Sequence, residues 1–342
     1  MRATQGGEEG VMGMKPRQTK VLGIGAALQD ILAPVSDVFL QNYVQGRKGG
    51  MELVNAATAH ELFKALRETP ASVPGGSVTN TIKGLAKLDM PTRMLGKIGC
   101  DTLGASYVQA LRQINVDTSV FKFSDTEPTG SCLCLVTPDA ERTMRTCLGA
   151  SATLTPGEVT LADFAGCTHA CIEGYMIYNQ PVLRHCLELA RQADCVVAFD
   201  LSSPEVAGGF KLDLAELLAN HVDILFANET EAAEFTGCKD EREALRSLSQ
   251  YCETVAIKLG ARGSLIFHKG EVTEIAPRLV KAVDTTGAGD LWASGFLYGH
   301  LLGWPIEQSG RLASVTAAAV VQQVGATIPD DVWTEIRLEF LI

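Results

Sequence analysis

The feature that most constrains the fold is the segment 284–290, a turn of small residues between a short apolar run and a helix. The apolar run covers 279–283, and beyond the turn leucine and aromatic residues recur at helical spacing as far as Leu302. Such a turn directs successive backbone N–H groups toward one point, where the helix dipole favours negative charge. Gly287 and Gly289 carry no Cβ, so an anion can approach this backbone closely. We therefore expect an anion-binding site at the start of this helix.

Asp290 is the last residue of the turn, and a carboxylate there repels an anion unless it takes part in the chemistry. One interpretation is general base catalysis, in which Asp290 accepts a proton from a substrate hydroxyl as that oxygen attacks a phosphoryl group. The alternative is an aspartate that only caps the helix. The Gly-Ala-Gly run and the two threonines before it favour the first interpretation.

The heptapeptide 284–290, Asp-Thr-Thr-Gly-Ala-Gly-Asp, closely resembles the C-terminal signature of the PfkB (ribokinase-like) family of carbohydrate and nucleoside kinases. The resemblance implies a backbone anion hole for the transferred phosphate at Gly287, Ala288 and Gly289, with Asp290 as the base. It also implies that ATP is the phosphoryl donor. The implied fold is a ribokinase-like three-layer α/β sandwich with a central, mostly parallel sheet and a small β lid.

The stretch 149–260 supports this fold class independently, because strands recur about every 30 residues with helices between them. Ligands of parallel sheets bind beyond the carboxyl ends of the strands, where Asp200, Asn228 and Gly260 are expected to share one cleft. The predicted helices are 155–163, 181–192, 211–219, 229–236 and 241–251, and the predicted strands are 168–173, 195–200, 222–226 and 254–259.

The first apolar segment, 20–33, is predicted to be one buried strand that ends near a site. Its Gly23-x-Gly25 pair lacks the third glycine and the following helix of a dinucleotide-binding fingerprint. Asp30 stands alone in this segment and requires hydrogen-bond partners or a ligand. The resemblance implies that Asp30 binds two sugar hydroxyls; a structural ion pair is the alternative.

A second glycine turn at 74–76 opens a predicted helix, with Ser77 as its N-cap and Asn80 at position N3. The resemblance implies that the acceptor substrate contacts the backbone of Gly75 and Gly76 and the side chain of Asn80.

Asn228 and Glu231 are spaced so that they share one face of a helix, where an amide and a carboxylate can hold a hydrated Mg²⁺. The pair matches the family's Asn-x-x-Glu motif; the alternative is an ordinary acidic first turn. The next strand ends in Lys258-Leu-Gly260-Ala-Arg-Gly263, and the resemblance implies that this loop contacts the nucleotide.

The resemblance also assigns Thr286 to ATP binding. It assigns Asp284, with a loop near Gly325, to a monovalent cation, which leaves activation by K⁺ open. The GxxxxGK[ST] phosphate loop is absent from the sequence, which excludes a P-loop kinase.

Two segments, 34–55 and 117–148, are predicted to form the lid. The second resembles a hairpin with Arg142 near its tip, a candidate cation beside the bound substrate and its transferring phosphate; a solvated surface arginine is the alternative. The run 96–104 matches the family's N-terminal signature, and we expect its Asp101 to cap the following helix.

The kinase domain is expected to cover 20–330, with a disordered leader at 1–19 and a C-terminal extension at 331–342. The net charge of −11 argues against nucleic acid as a partner, and no apolar run reaches the roughly 18 residues of a membrane span. The ten scattered cysteines favour free thiols in a reducing cytoplasm. Both a monomer and a homodimer remain open.

The acceptor is expected to be a small sugar or nucleoside. The sequences at 75–83 and 223–233 resemble the adenosine kinase branch most. Ala26 departs from that branch, which has Asn in the first motif, and so a sugar such as fructose, ribose or a keto-deoxy sugar acid is the alternative. A protein that binds such a ligand without catalysis is a further alternative, which the presence of Asp290 and its glycines disfavours.

Overall fold

The structure is a computed structural model that describes residues 18–46, 48–66, 71–139 and 141–341. All but the last two residues of the predicted leader, 1–19, lie outside the described residues.

Sixteen strands and twelve α-helices occupy the described residues. The strands are β1 Val21–Ile24, β2 Leu28–Pro34, β3 Met51–Leu53, β4 Ala71–Gly75, β5 Thr92–Leu95, β6 Lys97–Gly99, β7 Val116–Asp117, β8 Lys122–Ser124, β9 Gly130–Val136, β10 Arg142–Cys147, β11 His169–Glu173, β12 Val196–Asp200, β13 Ile224–Asn228, β14 Thr254–Lys258, β15 Ser264–His268 and β16 Glu271–Ile275. The helices are α1 Asp37–Tyr43, α2 Ala56–Ala65, α3 Ser77–Lys87, α4 Thr102–Gln113, α5 Gln180–Gln192, α6 Pro204–Gly209, α7 Lys211–His221, α8 Glu229–Thr236, α9 Glu241–Leu248, α10 Ala288–Leu301, α11 Ile306–Val320 and α12 Asp330–Phe340.

Nine strands form the central sheet, in the order β16-β15-β14-β13-β12-β11-β1-β5-β7. Neighbouring strands are parallel from β14 to β7, and β15 and β16 continue the sheet in antiparallel pairing. Apolar side chains of α5, α7, α8 and α9 pack on one face, and those of α3, α4, α10 and α11 pack on the other. The central strands β1 and β11 to β14 are mostly buried on both faces, as parallel strands between helices must be. The predicted three-layer α/β sandwich is therefore confirmed.

A second sheet of five strands, in the order β3-β10-β9-β2-β4, stands apart from the central sheet. One of its faces packs against α1 and α2, where Ile31 and Leu133 contact Leu40 and Leu62. Side chains alternate along a strand, so the opposite face carries Asp30, the residue before Ile31 in β2. We call this opposite face the cleft face.

The second sheet corrects several sequence-based expectations. The segment 20–33 is not one strand: β1 belongs to the central sheet, and β2 enters the second sheet. The segment 34–55 contributes only β3, between two helices. The segment 117–148 supplies the antiparallel pair β9 and β10, but β8 pairs with β6 in a separate two-stranded sheet.

Two further expectations differ from the structure. The predicted helix 155–163 is a pair of short 3-10 turns, at 156–158 and 161–164. The predicted extension 331–342 lies almost entirely within α12, whose Trp333 and Ile336 are buried against α11. This last helix is therefore part of the core.

Eight of the ten cysteines are free thiols in the structure: Cys100, Cys132, Cys134, Cys147, Cys171, Cys186, Cys238 and Cys252. None of the described helices is long and apolar enough to cross a membrane.

Candidate active site

Helix α10 begins with a glycine rather than with a side-chain cap. Gly287 is its N-cap at φ +70°, in the left-handed region, and a Cβ there would lie 2.5 Å from the Cβ of Ala326. The Ala288 N–H donates to the Thr285 carbonyl at 3.2 Å, whereas no described residue accepts a hydrogen bond from the Gly289 N–H. The Gly289 amide therefore stays available to an anion at the positive end of the helix dipole, and Ala288 is less free than predicted.

Asp290 lies in the first turn of α10, and its carboxylate is held by the first turn of α3. Its Oδ1 accepts a hydrogen bond from Ser77 Oγ at 2.8 Å, and its Oδ2 accepts one from Asn80 Nδ2 at 3.0 Å. Ser77 is not the N-cap that the sequence predicted: Gly76 caps α3, at φ +97°. The Ser77 hydroxyl is thus free to bind Asp290, and Asn80 lies one position deeper in the helix than predicted.

Burial raises the pKa of Asp290 to about 6, although the hydrogen bonds from Asn80 and Ser77 oppose this rise. Among more distant charges, Asp200 raises the pKa further and Lys258 lowers it. A carboxylate with a pKa closer to neutrality is a stronger base than an exposed aspartate, and it is still ionised at pH 7.

Asp30 lies on the cleft face of the second sheet, directly over Gly75 of β4. A Cβ on Gly75 would lie 2.1 Å from Asp30 Cγ, so any side chain at this position would displace the Asp30 carboxylate. Burial raises the pKa of Asp30 to about 6; Lys83 and Arg142 lower it, and Asp290 raises it. The two carboxylates predicted to hold and to deprotonate the acceptor therefore lie within electrostatic reach of each other.

Lys83 of α3 is a site residue that the sequence analysis missed. Its Nζ donates to the Pro74 carbonyl at 2.7 Å and to Asn80 Oδ1 at 3.2 Å. Burial lowers the pKa of Lys83 to about 8, while Asp30 and Asp290 oppose that shift. By holding the oxygen of the Asn80 amide, Lys83 turns the amide nitrogen toward Asp290. Its spacing of three residues from Asn80 was the available signal.

The last residues of four adjacent parallel strands are polar and lie side by side at the carboxyl ends of the strands, which we call the sheet edge. They are Glu173 of β11, Asp200 of β12, Asn228 of β13 and Lys258 of β14. The structure thus brings Asp200 and Asn228 together at the carboxyl ends of the strands, where they were predicted.

Lys258 joins this edge to α10. Its Nζ lies 2.7 Å from Asp200 Oδ2 and 3.1 Å from where a Cβ on Gly289 would be. Burial lowers the pKa of Lys258, but the nearby carboxylates of Asp200 and Glu231 outweigh this effect, so the pKa of Lys258 is raised. A permanent cation therefore stands beside the open helix N-terminus.

Asn228 and Glu231 form a closed capping box at the start of α8. Asn228 Oδ1 accepts from the Glu231 N–H at 2.8 Å, and the Glu231 carboxylate accepts from the Asn228 N–H and Nδ2, both at 2.7 Å. Burial, together with Asp200, raises the pKa of Glu231 to about 7. The alternative interpretation, an acidic residue that stabilises a helix start, is thus correct for the local geometry.

The same edge also fits the Mg²⁺ that the family resemblance implies. Asp200 and Asp290 raise the pKa values of Glu173 and Glu231, Asp200 also raises that of Asp290, and Lys258 is the cation among these groups in the described chain. This surplus of carboxylate oxygens suits a hydrated Mg²⁺, which keeps most of its waters. Both Glu231 oxygens already accept hydrogen bonds within the protein, and the contact of Glu231 with such an ion through water stays a prediction.

Asp284 is fully occupied by partners within the protein. Its Oδ1 accepts from the Thr286 N–H at 2.8 Å and lies 3.2 Å from Arg142 Nε, and its Oδ2 accepts from the Gly325 N–H at 2.7 Å. The Thr286 hydroxyl also donates to Asp284, at 2.6 Å. The structure brings Asp284 and Gly325 together as predicted, but both carboxylate oxygens are already engaged, and K⁺ binding stays a prediction.

Arg142 lies at the start of β10 and ties the second sheet to the loop before α10. Its Nη1 is buried and has no hydrogen-bond partner among the described residues. Since Arg142 also lowers the pKa of Asp30, its guanidinium connects the Asp284 loop electrostatically with the Asp30 carboxylate. Arg142 is therefore not a solvated surface arginine, because it pairs with Asp284. Its contact with substrate stays a prediction.

The loop after β14 contains two left-handed glycines, Gly260 at φ +57° and Gly263 at φ +94°. A Cβ at Gly263 would lie 2.0 Å from the Ile275 carbonyl oxygen, so this glycine is required by the fold. No described atom lies within 4 Å of a Cβ at Gly260, which leaves room for the predicted nucleotide.

Glu173 was also missed by the sequence analysis. Its carboxylate is buried and accepts hydrogen bonds from the Ala26 N–H at 2.7 Å and the Val78 N–H at 3.1 Å. Burial raises the pKa of Glu173 to about 7. It therefore fixes the loop after β1 to the start of α3. The rule that identified Asp200, a polar residue ending a buried strand, applies equally to Glu173.

Taken together, these contacts place the buried Asp290 carboxylate between two groups of residues. One group consists of the free Gly289 amide, the Lys258 ammonium and the carboxylates at the carboxyl ends of the strands. The other group consists of Asp30 and the hydrogen-bonded Asn80. The arrangement can deprotonate an alcohol and stabilise negative charge on a group transferred to it.

Comparison with known proteins gives a consistent result. Residues 52–333 match the family described as pfkB family carbohydrate kinase. The solved structure of adenosine kinase from Sinorhizobium meliloti is 32% identical, with a TM-score of 0.85 over 94% of this chain and 99% of that one. That of a probable sugar kinase from Rhizobium etli is 30% identical, with a TM-score of 0.87 over 96% and 100%. Ribokinase from Haemophilus influenzae is 27% identical over 275 residues, 78% of this chain and 87% of its own.

Proposed function

Because this chain belongs to the pfkB family of carbohydrate kinases, we propose that it transfers the terminal phosphoryl group of ATP to the primary hydroxyl of an adenosine-like nucleoside. The family is one of phosphotransferases that act on sugars or nucleosides. One observation carries the proposal: the Asp290 carboxylate, held by Ser77 and Asn80, stands at the open start of α10 and within electrostatic reach of Asp30.

In the proposed reaction the acceptor sugar ring is held by Asp30, the Asn80 side chain and the backbone at 75–76. Asp290 takes the proton of the primary hydroxyl while the hydroxyl oxygen attacks the terminal phosphorus in line with the leaving ADP oxygen. The pKa of Asp290, raised to about 6, supports this role because the carboxylate is ionised at pH 7 and yet more basic than usual.

Charge that develops on the transferred group is stabilised by fixed dipoles and by one fixed cation. The Gly289 N–H and the dipole of α10 face the phosphoryl oxygens, and Lys258 stands beside them. Mg²⁺, held through water near Asn228 and Glu231, would neutralise charge on the ATP phosphates when it is bound. Arg142 links the second sheet to Asp284, and the sheet itself excludes water as a competing acceptor when it covers the substrate.

An adenosine-like acceptor is supported by the sequence at 75–83 and by the 32% identity to an adenosine kinase of known structure. The alternative acceptor is a sugar, such as ribose, fructose or a keto-deoxy sugar acid. Ala26 favours it, because its side chain offers no polar contact and its N–H is already bound to Glu173. The similarity to a ribokinase agrees with this alternative.

The test is ATP consumption by the full chain, measured as ADP formation, with a panel of adenosine, other nucleosides, ribose, fructose and a keto-deoxy sugar acid. We expect the highest kcat/KM with adenosine, and phosphate on the primary hydroxyl by ³¹P NMR of the product. A higher kcat/KM with any sugar would overturn the nucleoside assignment while keeping the kinase. Tight adenosine binding by calorimetry, without ADP formation for any acceptor, would instead support a sensor.

A further inference from the structure

The cleft face of the second sheet carries two cysteines that the proposed reaction does not use. Cys132 and Cys134 are two residues apart on β9, so their side chains project from the same face. Their sulfur atoms lie 3.8 Å apart, and both side chains are buried. No other described pair of cysteines comes this close with a carboxylate beside it.

The carboxylate beside them is Asp30. β2 and β9 are parallel neighbours, and Asp30 is in register with Cys132, so the two residues share the cleft face. One ligand atom each from Asp30, Cys132 and Cys134 all lie within 4.8 Å of one another. From β10, the strand next to β9, Thr146 Oγ1 donates to the Cys132 sulfur at 3.3 Å and fixes the position of that sulfur.

The spacing of the sulfurs matches a known coordination geometry. Two Zn–S bonds of about 2.3 Å, meeting at a tetrahedral angle, hold their sulfurs about 3.8 Å apart. We propose that Cys132, Cys134 and Asp30 form a site for a thiophilic divalent cation of the Zn²⁺ class, with a fourth position open toward the cleft. Two sulfurs and one carboxylate suit Zn²⁺ or Cd²⁺ and not the Mg²⁺ of the phosphate side, which prefers oxygen.

The third ligand, Asp30, links metal binding to acceptor binding, and this link rests on the proposed function. Asp30 is the carboxylate assigned to the acceptor hydroxyls, and it cannot hold a metal ion and the acceptor in the same way at once. The cation therefore competes with the acceptor and not with ATP. Binding replaces the proton on each of the two thiols, and both protons are released to solvent.

The experiment uses the full chain carrying Cys100→Ser and Cys238→Ser, which removes the two cysteines that are not buried. Cd²⁺ is titrated into the protein, and the thiolate-to-cadmium absorption band and the ¹¹³Cd NMR shift report sulfur ligands. We expect one equivalent of Cd²⁺ with two sulfur ligands, and loss of the band in Cys132→Ser and in Cys134→Ser. Cys252 is a buried thiol just before the amino end of β14, whereas the cleft lies at the carboxyl ends of the strands; Cys252→Ser is therefore the matched control and should keep the band.

Kinetics then test the consequence separately. We expect Cd²⁺ and Zn²⁺ to raise the KM of the acceptor in proportion to their concentration, and to leave the KM of ATP unchanged. Asp30→Asn should weaken Cd²⁺ binding in the absorption titration, a readout that needs no turnover. Absence of the two-sulfur signal at one equivalent would overturn the metal site even in an active kinase. A two-sulfur signal in a protein with no kinase activity would keep the metal site and overturn the proposed function, and metal binding without competition would overturn the link between them.

Discussion

Two helices start at the same edge of the molecule in opposite ways. Helix α8 begins with a closed capping box, in which Asn228 and Glu231 satisfy each other with three hydrogen bonds. Helix α10 begins at Gly287, without any side-chain cap, and the N–H of Gly289 is left without an acceptor in the described chain. Both carry an acidic residue in the first turn, and both match a family motif.

The two helix starts differ in what their carboxylates do: Glu231 caps its own helix, whereas Asp290 does not. Glu231 is engaged in local structure, and it can influence a ligand only through water and through its charge. Asp290 takes its hydrogen bonds from another helix, α3, and leaves the Gly289 amide of its own helix for a ligand. The geometry therefore predicts that the two acidic residues differ widely in their effect on turnover, although their motifs look equally functional.

The largest expected effect tests this contrast directly. Asp290→Asn keeps the shape of the side chain but removes the base, and we expect kcat to fall by about 10³-fold, within the range of general base catalysis. Glu231→Gln keeps a residue that suits a capping box, and we expect kcat to fall by no more than about tenfold, with a higher Mg²⁺ requirement. The measurement is steady-state kcat and acceptor KM for both variants.

Acceptor binding serves as the internal control. Because the amide introduced by Asp290→Asn can still hydrogen-bond with Ser77 and Asn80, the acceptor KM of this variant should stay within a few-fold of wild type. A variant with near wild-type kcat would refute the base assignment. Equal losses for Asp290→Asn and Glu231→Gln would refute the contrast between the two helix starts.

The sequence predicted this contrast only in part, and the reason is the range of the interactions. The glycine turn at 287–289 and the carboxylate of Asp290 are local features, readable from a few adjacent residues. The partners Ser77 and Asn80 lie more than 200 residues away in the chain. Their family motif was recognised, but their contact with Asp290 was not predicted, and Ser77 was assigned to a cap.

Lys83 and Glu173 were missed for a different reason. A lysine on an amphipathic helix is normally solvated, and only the packing of the second sheet against α3 shows that Lys83 is enclosed.

The fold shows the same division between what the local sequence predicts and what long-range packing decides. Strands β11 to β14 and the helices between them follow from periodicity, whereas the two strands in 20–33 read as one apolar run. The predicted helix 155–163 failed because two local capping boxes, at Thr155 and Thr160, each support only a single turn.

The next prediction sharpens the role of the open amide at α10. Gly289→Ala adds a methyl group 3.1 Å from Lys258 Nζ, which can move aside, so the fold should survive. The methyl group occupies the approach of an anion to the Gly289 amide, and we expect kcat to fall about tenfold or more. Gly209→Ala, in α6, is the matched control, because no described atom lies within 4 Å of its added Cβ. Equal kcat in the two variants would show that no anion approaches Gly289.

A smaller effect is expected at Lys83, which couples α3 to both carboxylates. Lys83→Met frees the Asn80 amide to rotate, and we expect kcat/KM to fall by several-fold, on the order of the net contribution of one typical hydrogen bond, about 1 kcal/mol. In wild type, activity should fall as pH drops through about 6, because protonated Asp290 cannot accept a proton. Without the Lys83 cation the pKa values of Asp30 and Asp290 rise, so this acidic limb should move to higher pH.

The control is Lys87→Met, one turn further along α3, whose ammonium pairs with Asp330 at the surface. Its pH profile should overlay that of wild type. A Lys83→Met enzyme with reduced activity and an unshifted acidic limb would indicate a purely structural role for this lysine.

The smallest expected effect concerns stability and returns to α8. Burial raises the pKa of Glu231 to about 7, so the folded protein favours its protonated form. The contribution of a neutral Glu231 to stability is complete below its unfolded pKa, ordinarily 4.5, and is lost as pH rises through about 7. Glu231→Gln stays neutral and escapes this loss. The melting temperature of the variant, relative to that of wild type, should therefore rise between pH 5 and pH 8 by a few degrees, or on the order of 1 kcal/mol.

Glu229→Gln, an exposed neighbour in the same turn, should show no such trend. Added Mg²⁺ should reduce the difference at pH 8, because the cation stabilises the charged form of Glu231. A constant difference across this pH range would mean that the Asn228 capping box, and not the surrounding carboxylates, sets the energy of Glu231.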